Sequence, residues 1–324
     1  MSAVDRQMMS RALQLAAKGR YTSAPNPSVG CVIARDDSII GEGFTRPAGG
    51  NHGEIEALQQ ASDTAGATAY VTLEPCSHQG RTGPCADALV AAGISRVVIA
   101  CEDPNPEVAG SGIQKLKDAG IEVELGLMED QARESNRGFI KRHEQGMPWV
   151  TVKMAASLDG RTAMASGQSQ WITTPAARAD VQRLRAAQCA IITGIGTQKM
   201  DDPSLTVRIT RDDVGVEDEL RQPLRVVVDA RLQMSPEARM FQQPGDTLVA
   251  TLDGPEQRDR SAALEAAGAE VAFLPAMGEH IDLHALLVEL AGRGCNQVLV
   301  EAGAGLAGAF IAEGLLDELV CYWA

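Results

Sequence analysis

Short β-branched runs alternate with amphipathic stretches along this 324-residue chain, and that alternation most constrains what it can fold into. Residues 4–18 read as a helix, with Met8, Ala12, Leu15 and Ala16 on one face. Ala24-Pro-Asn-Pro-Ser then reads as a loop, because each proline pushes its predecessor out of the helical region. Val29–Ala34 and Ile39–Phe44 flank Arg-Asp-Asp-Ser as a β-hairpin. Strands at Ala69–Leu73, Arg96–Cys101 and Glu122–Leu125 interleave with helices at His52–Ala61, Cys85–Ala92, Gly112–Ala119 and Asp130–His143. After Trp149–Met154 the alternation resumes through Ala190–Thr193, Leu224–Val228, Thr247–Ala250, Glu270–Phe273 and Gln297–Glu301. Parallel strands need crossover helices, so a mainly parallel, layered α/β fold is expected.

The polar stretch Glu144-Gln-Gly-Met-Pro148 reads as the domain boundary and divides 1–146 from 147–324. Arg211–Arg221 is acidic and reads as a surface excursion. The last apolar run, Leu319–Trp323, reads as a strand with no polar tail. Such an edge is adhesive, and on that ground the chain reads as cut short at Ala324, with the completeness of a second domain left open.

Composition excludes several classes. A net charge of −14 with only 3% aromatic residues is the opposite of a surface that tracks a phosphate backbone, so no nucleic-acid partner is expected. Apolar runs fall short of the ~18 residues a membrane span needs. Asp5, Arg6 and Arg11 interrupt what a signal peptide would keep apolar, so a cytoplasmic protein is expected. The seven cysteines, an odd and sparse set, read as reduced thiols.

The strongest chemical signal is His52-Gly-Glu54, followed by Pro75-Cys76-Ser-His-Gln-Gly-Arg-Thr-Gly-Pro-Cys85. One imidazole and two thiolates leave the fourth position of tetrahedral zinc open, as a catalytic site requires. Glu54 is too short-tethered to be a comfortable ligand but can reach that open position and shuttle a proton to a leaving amine. This is the zinc-deaminase plan of H-x-E and P-C-x-x-C, with one zinc per chain. A structural zinc would want a fourth ligand, and His78, two residues from Cys76, would be a strained one. Eight residues rather than two separate the cysteines. A loop carrying His78 and Arg81 beside the metal suggests an anionic substrate, most simply a phosphate ester.

Together these motifs resemble the bifunctional riboflavin-biosynthesis deaminase/reductase family. Further matches are Pro25-Asn-Pro-Ser-Val-Gly-Cys31, Asp103-Pro-Asn-Pro106, Lys153-Met-Ala-Ala-Ser-Leu-Asp-Gly-Arg-Thr-Ala163, Ser169-Gln-Trp-Ile172 and Asp201-Asp-Pro-Ser-Leu-Thr-Val-Arg208, so the resemblance runs through the chain. It implies an N-terminal cytidine-deaminase-like three-layer domain and a C-terminal dihydrofolate-reductase-like domain. The first would remove an amine from a phosphoribosylaminopyrimidine; the second would reduce the ribose to ribitol with NADPH. By the same resemblance His52, Cys76 and Cys85 bind zinc, Glu54 moves protons, and Asn26, His78 and Arg81 contact the pyrimidine nucleotide. Ala155, Trp171, Thr197 and the loop Gly303, Ala304, Gly305, Leu306, Ala307, Gly308, Ala309 would hold NADPH. Lys153, Ser169, Arg185, Asp201, Leu205, Arg208 and Glu301 would hold the phosphorylated ribose. The chain departs from the family at Gly53, usually alanine and expected to be harmless, at Glu56, frequently histidine, and at Gly83, where a proline stiffens the loop.

Read without the resemblance, Gln297-Val-Leu-Val-Glu301 followed by Gly303-Ala-Gly305-Leu-Ala-Gly308 matches G-x-G-x-x-G after a strand and before a helix. A glycine-rich helix start packing on a sheet explains it equally well. The competing readings are a nucleoside or nucleic-acid zinc deaminase with an unrelated second domain, and a binding module with structural zinc. The cysteine spacing and acidic charge count against the first, and Glu54 beside an open position against the second. A homo-oligomer is left open.

Overall fold

The N-terminal amphipathic run forms helix α1 (Ala3–Ala16), started by a capping box in which Ser2 and Asp5 exchange side-chain and backbone bonds. In this computed structural model, residues 1–77, 83–106, 108–162 and 173–323 are described. The chain divides into two units, Met1–Gln145 with Gly215–Glu219, and Gly146–Val214 with Leu220–Ala324. Of the acidic stretch 211–221, therefore, a short segment groups with the first unit.

The first unit is built on strands β1 (Gly30–Arg35), β2 (Ser38–Phe44), β3 (Thr68–Val71), β4 (Arg96–Ile99) and β5 (Glu122–Leu125). Helices α2 (Gly53–Gln60), α3 (Cys85–Ala91), α4 (Ser111–Asp118), α5 (Glu129–Ser135) and α6 (Arg137–Gln145) accompany them. Sheet order is β2-β1-β3-β4-β5. The pairings of β1 are antiparallel and those of β4 are parallel. Consecutive residues of β1 show why helices cover both faces. A Cβ on Gly30 would stand 1.9 Å from the Ala12 carbonyl oxygen of α1. On the opposite face is Cys31, beside Glu54 of α2, whose charge adds to burial in pushing that thiol up. Gly43, the register partner of Cys31, meets the same helix, with its Cβ position 2.2 Å from the Gly53 carbonyl. The sheet is thus sandwiched between α1 and α2, and side chains any larger than hydrogen at these glycines would separate the layers.

One helix was expected around Asp130–His143, yet the structure has α5 and α6 broken at Asn136. The Asn136 side chain accepts from Ser28 N (2.8 Å) and donates to Ser28 O (3.0 Å), pairing like a strand residue with the loop before β1.

The second unit contains β6 (Trp149–Ala156), α7 (Pro175–Ala186), β7 (Ala190–Gly194), α8 (Ile195–Asp201), α9 (Arg211–Val214), β8 (Leu224–Val228), β9 (Thr247–Leu252), α10 (Pro255–Ala266) and β10 (Ala269–Leu274). A small hairpin of β11 (Ala276–Met277) and β12 (His280–Ile281), then α11 (Leu283–Gly292), β13 (Gln297–Glu301), α12 (Ala304–Ala312) and β14 (Glu318–Trp323) complete it. Its seven-stranded sheet has the order β10-β9-β8-β7-β13-β6-β14. Every pairing in that sheet is parallel, so all strand C-termini lie along one edge. Val150, Val152, Ile191, Ile192, Val226, Val298 and Leu299 are buried, as strands covered on both faces must be. The expected final strand is β14, the sheet edge, with Leu319 47% and Trp323 59% exposed. Among the described residues no helix is long and apolar enough to cross a membrane.

Candidate active sites

In the first unit, three side chains far apart in sequence meet. His52 is the N-cap of α2, Cys76 follows β3, and Cys85 opens α3. His52 Nδ1 stands 3.6 Å from Cys76 Sγ and 3.3 Å from Cys85 Sγ. All three ligand atoms lie within 4.8 Å of one another. Metal–nitrogen bonds of ~2.05 Å and metal–sulfur bonds of ~2.3 Å make tetrahedral edges of ~3.6 Å, so this donor set fits zinc. The Cys85 backbone N–H donates to Cys76 Sγ (3.3 Å), as expected where a thiolate faces a helix start. Hydrogen bonds from Cys85 and His52 lower the Cys76 thiol to about 4. Cys85, facing an already ionised partner, is pushed up instead. A cation is what would let both ionise.

Glu54 is 3% exposed, in the first turn of α2 beside this cluster. Burial, reinforced by the Cys76 charge, raises its carboxyl to about 7, where it can both take and give a proton. The Ala24–Val29 loop reaches α2 through Val29, whose carbonyl oxygen would lie 2.8 Å from a Cβ on Gly53. In that loop, Asn26 is half-buried and its N–H donates to Ser23 O (3.0 Å). Glu56, where a histidine is frequent, pairs with Arg46 Nε (3.0 Å) and accepts from Asn51 Nδ2 (2.8 Å). His78 and Arg81 lie outside the described residues, as do Ser169 and Trp171 of the second unit.

In the second unit several of the expected residues lie toward the C-terminal ends of three adjacent strands, β7, β13 and β6. Lys153 and Glu301 are register partners on β6 and β13, and Ala155 follows on β6. Glu301 forms a two-point ion pair with Arg185 of α7, at 2.5 and 2.9 Å. Both side chains are nearly buried, and Arg185 Nη1 also donates to Thr206 O (3.2 Å). Burial works against the Arg185 charge, and Glu301 more than offsets it, raising the pKa. Lys153 Nζ lies 5.9 Å from the Tyr322 ring centroid, and the Tyr322 hydroxyl donates to Asp180 (2.7 Å). The glycine loop opens α12, with Gly303 as its N-cap and Gly303–Gly305 exposed. Gly303 N donates to Thr197 Oγ1 (3.2 Å), joining two expected cofactor segments. Asp201 is the last residue of α8 and half-buried. Leu205 packs in a core cluster with Ile191 and Leu299. Arg208 is exposed and forms no ion pair among the described residues, and its backbone N–H donates to Gln182 (2.9 Å).

Residues 148–324 match the family pattern described as the RibD C-terminal domain. Residues 2–101 match the cytidine and deoxycytidylate deaminase zinc-binding region. The chain is 49% identical to riboflavin biosynthesis protein RibD of Escherichia coli (strain K12), covering 98% of this chain and 87% of that one. Among solved structures it is similar to an Acinetobacter baumannii RibD, with TM-score 0.88, 47% identity, and 99% of this chain and 86% of that one covered. It is likewise similar to a diaminohydroxyphosphoribosylaminopyrimidine deaminase/5-amino-6-(5-phosphoribosylamino)uracil reductase from Thermotoga maritima, with TM-score 0.85, 33% identity, and 99% and 86% covered.

Proposed function

This chain belongs to the RibD family of bifunctional enzymes that carry out the deaminase and reductase steps of riboflavin biosynthesis, and on that premise we propose how its own residues divide the work. Residues 1–146 form the zinc-dependent deaminase and 147–324 the reductase, both acting on phosphorylated pyrimidine substrates in the cytoplasm. The observation that carries the reading is the meeting of His52, Cys76 and Cys85 around one point with the buried Glu54 beside them.

His52, Cys76 and Cys85 would hold the zinc. Bound there, the metal acts as a Lewis acid and makes water nucleophilic at neutral pH. Glu54 takes the proton that water gives up as it adds to the amine-bearing carbon, then returns it to the leaving nitrogen. Ammonia departs and the ring carbon keeps the oxygen. Burial of Glu54 beside the ligand cluster places its carboxyl for both halves of that exchange. Asn26, His78 and Arg81 orient the pyrimidine nucleotide.

In the reductase, Ala155, Trp171, Thr197 and Gly303–Ala309 would bind NADPH, which supplies a hydride. Glycines at a helix start let backbone N–H groups approach a diphosphate, and the bond from Gly303 to Thr197 sets the mouth of that cradle. Lys153 and Asp201 would orient the ribose, and the family resemblance adds Ser169 and Leu205 to that contact set. Exposed Arg208 is free to take a phosphate at two points. Arg185 is held by Glu301, and the pair presents a fixed polar edge to the ribose.

Two assays test this. Purified protein should contain one zinc per chain and release ammonia from the diaminopyrimidinone ribosylphosphate. It should oxidise NADPH when given the deaminated product. Zinc retained at full stoichiometry in Cys76→Ser or Cys85→Ser would refute the ligand set. Ammonia release without NADPH oxidation would favour a lone deaminase.

A further inference from the structure

Glu74, the residue before Pro75-Cys76, is 3% exposed, and its carboxylate takes four backbone donors. Oε1 accepts from Gly112 N (2.9 Å) and Ile113 N (3.1 Å), and Oε2 from Gly110 N (3.0 Å) and Asp103 N (3.2 Å). A buried carboxylate is costly unless its lone pairs are satisfied, and here they are satisfied by amides rather than by a cation. Three of the four donors belong to the start of α4, where N–H groups have no partner within the helix, so each side completes the other. We infer that Glu74 is a positioning residue of the deaminase centre, clamping the Pro75–Cys76 turn to α4 so that the Cys76 thiolate stands in its ligand position. The inference rests on the zinc-deaminase reading above.

Several contacts make this a clamp rather than an isolated bond set. Glu74 N donates to Cys101 O (2.9 Å), extending the β3–β4 ladder to the turn. A Cβ on Gly112 would stand 2.0 Å from the Pro75 carbonyl oxygen, so the turn lies directly on the helix backbone. Ser77 and Ser111 hydroxyls meet at 2.6 Å. From the other side α3 holds the same residue, with Cys85 N on Cys76 Sγ (3.3 Å) and Ala86 N on Cys76 O (3.1 Å). Cys76 is thus set between two helix starts, and only the α3 one touches its sulfur. Glutamine cannot replace Glu74, because its amide would aim N–H groups at backbone N–H groups. Aspartate, one methylene shorter, cannot span the same four donors.

The test uses the whole chain with Glu74→Gln and, independently, Gly112→Ala, which keeps the carboxylate but sets a methyl group 2.0 Å from the Pro75 carbonyl oxygen and 3.1 Å from Glu74 Oε1, disturbing the same clamp. Zinc affinity is read by chelator competition, ligand geometry by the absorption of the cobalt(II)-loaded protein, and stability by melting zinc-free and zinc-loaded forms. Residues that orient metal ligands are worth roughly 10–100-fold in metal affinity, and both variants should lose about that much. The cobalt–thiolate bands should shift, and the rise in melting midpoint on adding zinc should shrink, while NADPH-linked reduction stays intact. Variants that bind zinc within about twofold of wild type with unchanged cobalt bands overturn the inference. So does an equal fall of the zinc-free and zinc-loaded midpoints, the mark of a residue that only supports the fold. Should Glu74→Gln fail to fold, Gly112→Ala decides. Failure of the unmodified protein to bind zinc would instead remove the deaminase reading itself.

Discussion

The Arg185–Glu301 pair allows a prediction whose size follows from its setting. The side chains are 12% and 10% exposed, and two hydrogen bonds at 2.5 and 2.9 Å join them at the C-terminal edge of the second sheet. Glu301→Gln keeps the volume and removes the charge. Arg185 would then be left nearly buried with Thr206 O as its remaining strong acceptor. Breaking such a pair from one side costs about 3–5 kcal/mol, because the surviving charge is stranded away from water. For a domain of this size each kcal/mol moves the melting midpoint by roughly 2–4 °C, so a fall of about 6–20 °C is expected. Arg185→Met should cost less, since a stranded carboxyl can take up a proton and become neutral, which an arginine cannot. The double variant should recover part of the loss, with a coupling of about 1–3 kcal/mol. Midpoints of the four proteins close the cycle, and NADPH oxidation should stay low even in the recovered double variant. Single-variant losses under about 1 kcal/mol, or effects additive within about 0.5 kcal/mol, would refute the view that this pair is desolvated and mutually dependent.

Glu54→Gln preserves shape and ligands but removes the proton carrier, so ammonia release should fall by roughly 10²–10⁴ while NADPH oxidation with deaminated substrate stays normal. Loss of both activities would point to one shared site. Arg208→Ala should raise the reductase KM by an amount equivalent to about 1.5–3 kcal/mol and leave ammonia release unchanged, and an unaltered KM would free Arg208 of the phosphate. Asp5 bonds Arg96 Nη1 (2.8 Å), Tyr70 Oη (2.9 Å) and Ser2 N (2.6 Å), chiefly the first of which holds its carboxyl far below the usual range. Its stabilising effect is therefore complete above the unfolded value near ~3.9 and fades as pH falls below it. The stability gap between wild type and Asp5→Asn should narrow from pH 5 to pH 2 in denaturant titrations, and a constant gap would contradict that origin.

How far the sequence foretells the fold depends on whether the deciding contact is local. Runs such as Val97-Val-Ile99 and Ile191-Ile192 announce strands because sheets covered on both faces demand continuous apolar stretches. Cys85 and Gly303, placed at helix starts in sequence, open or cap helices in space. The α5–α6 break was hidden, since its cause, Asn136 against Ser28, links residues 108 positions apart. Hidden too was the insertion of β13 between β7 and β6. No residue of β13 marks which neighbours it will take, and a central place for a strand so late in the chain follows only from the crossovers around it.

The sites divide along the same line. His52, Cys76 and Cys85 were legible because metal coordination restricts residue type and spacing at once, whereas hydrogen-bond anchors do not. Glu74 carried one usable signal, an acid directly after the buried run Tyr70-Val-Thr-Leu73 and directly before a ligand turn. A charge in that place has to be satisfied by something specific, and the start of α4 is what satisfies it. Gly53 shows the reverse. Glycine in place of the family's alanine reads in sequence as a harmless departure, and in space it has a reason, since the Val29 carbonyl oxygen stands 2.8 Å from where a Cβ would go. In this chain α2 lies closer to the loop before β1 than a methyl group allows. Glu56, one helical turn on from His52, is tied to Arg46 and Asn51 rather than left to face a substrate. Both departures act on the same helix end, the one that carries His52 and Glu54. One departure bears on that end through close backbone approach and the other through an ion pair.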